Sequence, residues 1–351
     1  MTAINIRSMQ AAILTELNNP LVLDEVELPQ HLDVGQVLVK ILYSGICGSQ
    51  IGEIQGVKGP DKYLPHLLGH EAVAEIQAIG PGVSQIKPKD TAILHWRKGS
   101  GIEAKPPSYK WNGKTLNAGA LTTFNTYAIV SENRMTKLSE SIAHEGASLL
   151  GCAVTTGYGA INNNAKLKIG ESVLVLGAGG IGLNAIEGAH LSGAYPIIAV
   201  DLFPEKLEFA KKFGATHTVD SNNTNLQETI KKLLPQGYAD VVVEITGAPQ
   251  LIELAYAISG PQGRVVLVGV PKAGNNINIH SLPMHFGKTF VGCHGGDSNP
   301  SQDIPRYARL AAHGIIKLQE LVTDVFEFAQ IQTGIDRMIK GEIKGRCVIR
   351  F

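Results

Sequence analysis

The chain of 351 residues has no excess of charge of either sign, because 31 basic residues balance 31 acidic ones. The basic residues form no stripe, so the sequence offers no electrostatic attraction for nucleic acid. No apolar run reaches the length of a membrane span, and the N-terminus lacks the apolar core of a signal peptide. We therefore expect neither nucleic acid nor membrane as a partner.

Cysteine is also scarce, with four residues in the whole chain. This number indicates a reducing compartment rather than a disulfide scaffold, so we expect a cytoplasmic protein. Apolar residues make up 44% of the chain, as in ordinary globular proteins. The length exceeds what one hydrophobic core usually serves, and two domains are therefore expected.

A glycine-rich stretch in the middle of the chain follows a short apolar run, 173–176, that predicts a buried parallel strand. Its glycines have the spacing G-x-G-x-x-G. The first permits a tight turn, the second lets the backbone approach a pyrophosphate, and the third lets the following helix pack closely. The N–H groups at the start of that helix would point at the phosphates. The candidate cofactor-binding residues of this loop are Gly177, Gly179, Gly180, Ile181 and Gly182.

A second apolar strand ends in Asp201, about 20 residues beyond the glycines, as ribose recognition requires. Its carboxylate can accept both hydroxyl groups of an adenosine ribose and would repel a 2′-phosphate. Leu202 and Phe203 follow, and no arginine stands there to bind such a phosphate. The sequence therefore favours NAD over NADP. An ordinary βαβ turn with a solvated aspartate is the alternative.

The chain changes character near residue 170. Before it, short alternating segments between turn residues predict a β-rich domain. Residues 97–119 are polar and glycine-rich without a clear period, and they predict a long surface lobe. From about 170 to 295, strands and helices alternate. The predicted strands are 173–176, 197–200, 217–219, 240–245, 263–268 and 289–292, and the predicted helices are 181–191, 204–213, 226–234 and 249–258.

This alternation predicts an α/β fold with a doubly wound parallel sheet and helices on both faces. Two further helices, 303–313 and 328–340, and a last strand, 346–351, follow it. We expect them to return to the first domain. The predicted catalytic domain is therefore 1–155 with 295–351, and the nucleotide-binding domain, 156–294, is an insertion in it.

Cys47, His70, Glu71 and Cys152 are residues of the types that zinc prefers: thiolate, imidazole and carboxylate. Their spacing is long, and a single cysteine or a single Gly-His-Glu is more often structural. The nucleotide-binding pattern downstream favours a metal site, because the oxidation of an alcohol by NAD needs a group that acidifies the hydroxyl. A metal ion with an open position does this.

The chain resembles the zinc-dependent medium-chain dehydrogenases of the alcohol dehydrogenase superfamily over nearly its whole length. The matching stretches are 45–49, 69–71, 151–159 and 177–182 with Asp201. Residues 145–220 are most similar to the class I and class III enzymes. The resemblance implies a Rossmann domain inserted in a GroES-like catalytic domain, and reversible hydride transfer between an alcohol and NAD.

The resemblance also implies roles for single residues. Cys47, His70 and Cys152 should bind one catalytic zinc ion, and Glu71 is a nearby carboxylate that can become a ligand. Ser49 matches the hydroxyl that contacts the substrate oxygen and starts a proton relay.

Further matches concern the cofactor and the substrate pocket. Thr156 matches a residue that packs near the nicotinamide, and Gly269 and Val270 match backbone contacts to the carboxamide. Arg346 matches a contact to the pyrophosphate, and Lys206 matches a contact to the adenosine ribose. Trp96 matches a residue that lines the substrate pocket. For Arg346 and Lys206, a solvated cation is the alternative.

Three departures from the family are visible. Residues 97–119 contain none of the four closely spaced cysteines that many relatives have, so we expect no structural zinc and a lobe held by packing or by a subunit contact. Gln50 stands where an aspartate usually supports the zinc-binding histidine; an amide can accept a hydrogen bond but carries no charge. Gly52 lies near the place of a relay histidine, so the proton must leave by another route. Cys293 and Cys347 are predicted to be small buried hydrophobic residues.

The substrate is the least defined part of the prediction. His95, Arg97 and Lys98 flank Trp96, and two more lysines, Lys105 and Lys110, follow. These cations could favour an anionic or phosphorylated alcohol, such as a sugar or polyol derivative. The alternative is a solvated loop beneath a packed tryptophan.

We predict a zinc-dependent enzyme that acts on a primary or secondary alcohol with NAD. An NADP-dependent zinc carbonyl reductase is the nearer alternative, and a non-catalytic nucleotide-binding protein on the same fold is the more distant one. The family is usually dimeric or tetrameric, so we expect a homodimer or a homotetramer.

Overall fold

The computed structural model describes residues 2–222 and 225–351. The chain divides into two compact units, Met1–Cys152 with Asn299–Phe351 and Ala153–Ser298. None of the helices in the described ranges combines the length and the apolar character that crossing a membrane requires.

The N-terminal part of the first unit is mostly extended. Its strands are β1 (Thr2–Ala3), β2 (Ser8–Leu14), β3 (Val22–Glu27), β4 (His31–Leu32), β5 (Gln36–Gly45), β6 (His66–Leu67), β7 (Glu71–Ile79), β8 (Thr91–His95), β9 (Tyr109–Trp111), β10 (Lys114–Leu116), β11 (Tyr127–Ser131) and β12 (Met135–Lys137). Its helices are α1 (Gly48–Ile54) and α2 (His144–Ala147), with 3₁₀ turns at Glu132–Arg134 and Ser148–Gly151.

The second unit alternates helices and strands. It contains α3 (Ala153–Gly159), a π-helical turn (Ala160–Ala165), β13 (Val173–Leu176), α4 (Gly180–Leu191), β14 (Ile197–Asp201), α5 (Pro204–Lys212), β15 (His217–Asp220), α6 (Leu226–Leu233), β16 (Ala239–Glu244), α7 (Pro249–Ile258), β17 (Ser259–Leu267), α8 (Leu282–His285), β18 (Thr289–Gly292) and a 3₁₀ turn (Gly295–Asp297). The chain then returns to the first unit with α9 (Pro300–Ala312), β19 (Val322–Glu327), a 3₁₀ turn (Phe328–Gln330), α10 (Ile331–Ile339) and β20 (Arg346–Arg350).

The larger sheet of the first unit has the order β12-β8-β7-β5-β20-β19, and β11 also pairs with β5. The first four residues of β5 are buried on both faces, because successive side chains enter different cores. Val37, Val39 and Ile41 pack in one cluster, and Leu38 packs in another. The last strand, β20, pairs antiparallel with β5, which explains why the C-terminal segment belongs to this unit.

The second unit contains a parallel sheet with the order β15-β14-β13-β16-β17-β18. Strand β13 is wholly buried, as expected of a strand covered by helices on both faces. The chain starts at β13, moves outward to β15 and then crosses to β16, so the strand order reverses between β13 and β16. The crevice outside the carboxyl ends of strands at such a point is where dinucleotides bind. This is the doubly wound sheet that the sequence predicts.

The element bounds differ from the prediction mainly at the ends. Strand β17 begins at Ser259, where the sequence predicts a start at 263. The short helices α1 and α8 are absent from the prediction. They contain only seven and four residues, too few to establish a helical period in the sequence.

The lobe at 97–119 contains more structure than the sequence predicts. Strands β9 and β10 form a hairpin, and Tyr109 and Leu116 from it are buried in a core cluster. The turn residues Asn112 and Gly113 both have positive φ, 50° and 74°. This conformation is typical of a tight hairpin turn with the sequence Asn-Gly, so a local signal for the hairpin was present. The sequence analysis did not predict this hairpin, although five of its eight residues are exposed, as expected of a surface lobe.

Candidate metal centre and nucleotide-binding loop

Three of the predicted metal ligands converge in the first unit. The ligand atoms of Cys47, His70 and Cys152 all lie within 4.8 Å of one another. Both cysteines are buried, and His70 is partly buried. Zinc–ligand bonds of about 2.0–2.3 Å in a tetrahedral arrangement place the ligand atoms roughly 3.5–4 Å apart. The three residues therefore form a trio of the size that a zinc ion requires.

Sheet pairing brings the first two members of this trio together. Cys47 lies just after β5, and His70 lies just before β7. These strands are antiparallel neighbours with Ser44 opposite Ala72, so the end of one strand meets the start of the other. Gly69 has φ +91°, and a Cβ there would clash with Thr123. The tight approach to His70 therefore requires glycine.

Cys152 reaches the same place from the 3₁₀ turn Ser148–Gly151. A Cβ on Gly151 would clash with the backbone oxygen of Leu94 and lie 3.1 Å from the Cα of Glu71. The absence of a side chain at Gly151 lets the turn pack directly on strands β7 and β8, which carries Cys152 to the other two ligands.

The electrostatics of the trio favour metal binding. A hydrogen bond from Cys152 lowers the pKa of Cys47 well below its usual value, and His70 and Arg346 lower it further against the opposing effect of burial. The thiolate is the form of cysteine that binds metals. The Nε2 atom of His70 is buried and has no hydrogen-bond partner among the described residues. Buried polar atoms normally have a partner, and a metal ion would provide one, so the trio fits zinc.

The hydroxyl of Ser49 has surroundings similar to those of the Nε2 atom of His70. Its Oγ is buried without a hydrogen-bond partner in the part of the chain that the structure describes. The residue lies in the first turn of α1, two positions after Cys47. The hydroxyl is therefore free to bond to a ligand, as the prediction for Ser49 requires.

Gln50 connects two members of the trio. Its side chain is buried, with 1% exposed. The Oε1 atom accepts the backbone N–H of Cys47 at 3.0 Å, and the Nε2 atom contacts Nδ1 of His70. The sequence led us to expect that the amide accepts a hydrogen bond from the histidine, but the structure turns its NH₂ group toward the ring.

Glu71 lies outside the trio. Its carboxylate accepts a hydrogen bond from the guanidinium of Arg346, and the two form a fully buried ion pair. The alternative of Arg346 as a solvated cation is wrong, because only 4% of the residue is exposed. The predicted roles of Glu71 as an occasional metal ligand and of Arg346 as a pyrophosphate contact stay predictions.

Trp96 lies beside the trio, with its ring centroid 6.5 Å from that of His70 in an edge-on arrangement. The neighbouring residue His95 differs from the prediction. His95 is buried and hydrogen-bonded to Arg97 O at 2.7 Å and to Thr136 at 3.0 Å. Burial lowers the pKa of His95 to about 4. The prediction of His95 as a cation at the pocket mouth was wrong, since the ring is neutral at pH 7.

The glycine loop of the second unit has the local geometry expected of a phosphate cradle. Gly177 has φ +102°, which permits the turn out of β13. A Cβ on Gly179 would meet nothing within 4 Å, so the loop leaves open space there. A Cβ on Gly182 would clash with the carbonyl oxygen of Gly177, so α4 can pack on the loop only through glycine. Gly180 and Ile181 form the first turn of α4.

Asp201 is held beside this loop. Its carboxylate accepts the N–H of Ala178 at 2.8 Å and the N–H of Phe203 at 3.1 Å. The carboxylate therefore lies next to the glycines, and its predicted contact to a ribose stays a prediction. Lys206 follows on α5, with its ammonium group 4.7 Å from the ring centre of Phe203.

The remaining predicted cofactor residues also lie in the second unit. Thr156 is buried in α3. Gly269 packs against Gly247 and Ile245 so closely that a Cβ would clash with the backbone, and Val270 is 56% exposed. The structure leaves the predicted cofactor contacts of these three residues untested.

Glu244 is a buried residue near this loop that the sequence analysis missed. It ends β16, opposite Leu176 of β13. Its carboxylate accepts the N–H groups of Thr246 at 2.7 Å and Gly247 at 3.0 Å. Burial raises the pKa of Glu244 against the effect of these bonds. An acidic residue at the end of an apolar strand was the signal in the sequence.

The two other cysteines differ from each other. Cys347 is fully buried, and burial raises the pKa of its thiol to about 12, so it is an inert core residue as predicted. Cys293 is only partly buried and follows β18. Its sulfur accepts the N–H of Gly296 at 3.2 Å. The prediction of a buried strand residue was wrong for Cys293.

Comparison with known proteins agrees with this site. The family described as zinc-binding dehydrogenase matches residues 180–313, and the alcohol dehydrogenase GroES-like domain matches residues 33–140. Alcohol dehydrogenase 1 of Trifolium repens is 31% identical over 381 aligned positions, which cover 100% of this chain and 99% of the relative.

Solved structures are similar over the same length. Benzyl alcohol dehydrogenase from Acinetobacter calcoaceticus has a TM-score of 0.88 at 27% identity, covering 99% of this chain and 100% of that one. 2R,3R-butanediol dehydrogenase from Bacillus subtilis has a TM-score of 0.80 at 26% identity, covering 98% and 100%.

The GroES-like unit with its trio and the Rossmann unit with its glycine loop define a zinc-binding medium-chain dehydrogenase, an oxidoreductase. The chain belongs to the zinc-dependent alcohol dehydrogenase family, which confirms the resemblance and the fold class that the sequence predicts.

Proposed function

We propose that this protein uses NAD and one catalytic zinc ion to interconvert a primary or secondary alcohol and its carbonyl compound. The observation that carries the proposal is the convergence of Cys47, His70 and Cys152, with the buried Nε2 of His70 lacking a partner in the described chain. The same convergence argues against a non-catalytic nucleotide-binding protein.

The bound groups would supply the chemistry that side chains lack: zinc would acidify the alcohol hydroxyl, and the nicotinamide would accept a hydride. The residues of the chain have supporting tasks. The neighbours of Cys47 lower the pKa of its thiol, which favours the thiolate form, and Gln50 orients the ring of His70. The Oγ of Ser49, which has no competing hydrogen bond from the described residues, would accept the proton of the substrate hydroxyl and at the same time pass its own proton on to a water molecule. Trp96 forms a rigid wall beside His70.

The metal assignment is tested by the zinc content of the purified protein. We expect one zinc ion per chain, because residues 97–119 contain no cysteine for a second site. Replacement of Cys47 or Cys152 by serine should remove the zinc and the activity together. Full zinc content in both variants would contradict the proposed ligands. Cys347→Ser is the matched control, since this buried thiol lies outside the trio.

The preference for NAD is proposed from Asp201, whose carboxylate lies beside the glycine loop. We predict that NAD supports turnover much better than NADP. Asp201→Ala should reduce this preference by one to two powers of ten, because it removes both the ribose acceptor and the repulsion of a 2′-phosphate. The measurement is kcat/KM for both cofactors. Better turnover with NADP in the unchanged protein would favour the carbonyl reductase alternative.

For the substrate, we propose that the enzyme prefers a neutral alcohol to a phosphorylated one. Two of the cations that favoured a charged substrate have other roles: His95 is neutral, and Lys98 pairs with Glu103 at 3.3 Å. The related benzyl alcohol and butanediol dehydrogenases carry names of a primary and a secondary alcohol. A screen of alcohols, polyols and their phosphates tests this, and a strong preference for phosphates would reverse the order.

We also propose the predicted domain division, 1–155 with 295–351 as the catalytic domain and 156–294 as the cofactor domain. The compact units of the structure change over at Cys152 and Ser298, within a few residues of these boundaries. A cytoplasmic location is proposed from the low cysteine content, four residues in the chain.

A homodimer or homotetramer is the proposed assembly. Strand β18 is an edge strand of the parallel sheet, and Leu282 and Phe286 expose more than half of their surface in the segment before it. An unpaired edge beside exposed apolar side chains is a typical site of association. Light scattering on the purified protein gives the number of chains.

A further inference from the structure

The side-chain amide of Gln50 has two hydrogen-bonding neighbours. The amide is buried and lies between the backbone N–H of Cys47 and the Nδ1 atom of His70. An amide has one oxygen that accepts and one NH₂ group that donates. The oxygen bonds to the N–H of Cys47, and the NH₂ group faces the imidazole ring.

For an imidazole in its neutral form, this arrangement is compatible with only one tautomer. Because the NH₂ group of Gln50 donates to Nδ1 of His70, Nδ1 must be the acceptor, and the ring proton is on Nε2. Nε2 is the buried atom without a partner among the described residues. It is also the atom that a metal ion would bind, because Nδ1 is engaged by the amide. In this structure, the amide therefore presents a donor, not an acceptor, to the Nδ1 atom of His70.

Metal binding reverses this requirement. A histidine that binds through Nε2 carries its proton on Nδ1, and such an N–H needs an acceptor. Gln50 would then face two donors, Nδ1–H of His70 and the N–H of Cys47, with one oxygen to offer. Either the amide turns and leaves the Cys47 N–H opposite its NH₂ group, or the histidine proton stays unpaired. Each outcome leaves a buried polar group unsatisfied. The oxygen has two lone pairs and could serve both donors only if the amide moved from its observed place until the oxygen lay within reach of both N–H groups.

We propose that Gln50 is a positioning residue that limits the zinc affinity of the Cys47, His70 and Cys152 trio. A carboxylate in the same place has two accepting oxygens and would satisfy both donors. The inference rests on the proposed function only in so far as this trio binds the metal. The proposal predicts that replacement of the NH₂ group by O⁻ tightens metal binding.

The test is Gln50→Glu, which has nearly the shape of the native side chain. The dissociation constant of Zn²⁺ is measured by competition with a chromophoric chelator on the full chain, after the native metal has been removed. We expect tighter binding by about tenfold, within the range known for residues that orient metal ligands. Binding no tighter than that of the unchanged protein would overturn the proposal.

Two control variants separate the hydrogen bond from other effects. Gln36→Glu changes another buried glutamine of the same unit, whose amide accepts the N–H of Asp33 at 2.8 Å and donates to Lys105 O at 2.9 Å. It should leave zinc affinity unchanged. Gly48→Asp adds a negative charge beside Cys47 at a position where a Cβ meets nothing within 4 Å. The gain in zinc affinity should be smaller for Gly48→Asp than for Gln50→Glu. An equal gain in affinity would show that the negative charge alone causes the effect.

A second measurement needs no substitution. Nitrogen-15 spectra of histidine-labelled protein identify which ring nitrogen of His70 carries the proton. We expect Nε2–H in the metal-free protein and Nδ1–H after Zn²⁺ is added. Nδ1–H in both states would overturn the inference.

Failure of this inference can be distinguished from failure of the proposed function. If Cys47→Ser binds zinc as well as the unchanged protein, the trio is not the metal site and both fail. If the trio binds zinc and Gln50→Glu brings no gain, only the role of Gln50 is wrong.

Discussion

Single residues acquire their roles here from burial and partners more than from residue type. His95 and His70 are both histidines near Trp96, but burial lowers the pKa of His95 to about 4 against the opposing effect of its hydrogen bond to Arg97 O, and this keeps His95 neutral. His70 instead keeps one buried nitrogen without a partner among the described residues. The sequence identifies both as candidate polar groups of a site. Their surroundings decide that one is structural and the other is a candidate ligand.

The hydroxyl of Ser49 should be required for a high rate of turnover. Ser49→Ala should lower kcat by about 10²- to 10⁴-fold, the usual contribution of a positioned proton acceptor. The zinc content should not change, because the residue is not a member of the trio. Steady-state kinetics and metal analysis of the same preparation measure both. Ser49→Thr, which keeps the hydroxyl, should restore part of the rate, and an unchanged kcat in the alanine variant would exclude Ser49 from the proton path.

At the scale of elements, the turn from β13 into α4 separates two uses of glycine. Gly182 is required for packing, since a Cβ would meet the backbone of Gly177. Gly179 is not required for packing, because its side is open. Its place in the G-x-G-x-x-G spacing fits the prediction that a ligand approaches the backbone closely there.

This difference predicts opposite results for two substitutions. Gly179→Val should leave the melting temperature nearly unchanged and weaken NADH binding at least tenfold, because the added side chain fills the space of the phosphates. Gly182→Ala should lower the melting temperature by several degrees, because it forces α4 away from the strand. Calorimetry and NADH fluorescence titration measure the two effects. Equal loss of stability in both variants would contradict the assignment.

The lobe at 97–119 is a second case at this scale. Without cysteines, it is tied to the rest of the first unit by Glu132, which is nearly fully buried. This carboxylate accepts the N–H groups of Ser84 at 2.7 Å, Gln85 at 2.9 Å and Ile102 at 2.9 Å. Three backbone segments thus meet at one carboxylate. The expectation that packing holds the lobe omitted this polar contact, which a sequence does not reveal because its partners are main-chain atoms.

Glu132 gives the lobe a predicted pH dependence. Burial raises the pKa of Glu132, but the N–H groups of Ser84, Gln85 and Ile102 lower it more, so the pKa in the folded state lies below the free value of 4.5. Its stabilisation is therefore complete above about pH 4.5 and is lost as the pH falls through the folded-state pKa. Glu132→Gln should lower the free energy of unfolding by about 1–3 kcal/mol at pH 7. Urea unfolding at pH 7 and pH 4 should show a smaller difference between the two proteins at pH 4.

At the scale of the whole molecule, metal and cofactor should stabilise different units, since the trio lies in the first unit and the glycine loop in the second. A ligand that binds only the folded form stabilises it by mass action. Removal of the metal with a chelator should abolish activity and lower the melting temperature, and added Zn²⁺ should restore both. NADH should raise the melting temperature of the metal-free protein as well. Full activity after complete removal of the metal would contradict the zinc mechanism.

The sequence by itself determined the class of fold and the nucleotide loop, because both depend on local patterns. Apolar runs alternating with helices specify a parallel sheet, and the glycine spacing meets steric demands within a few residues of chain. It also named three candidate metal ligands through the family resemblance, although their separation along the chain gives no reason for them to meet.

Only the tertiary structure decided the features that depend on distant partners. The pairing of β5 with β7 and the turn at Gly151 bring the ligands together, the ion pair of Glu71 with Arg346 joins residues 275 positions apart, and Gln50 turns its NH₂ group toward His70. Each of these depends on which groups become neighbours after folding, since burial and hydrogen bonding are properties of an environment and not of a residue.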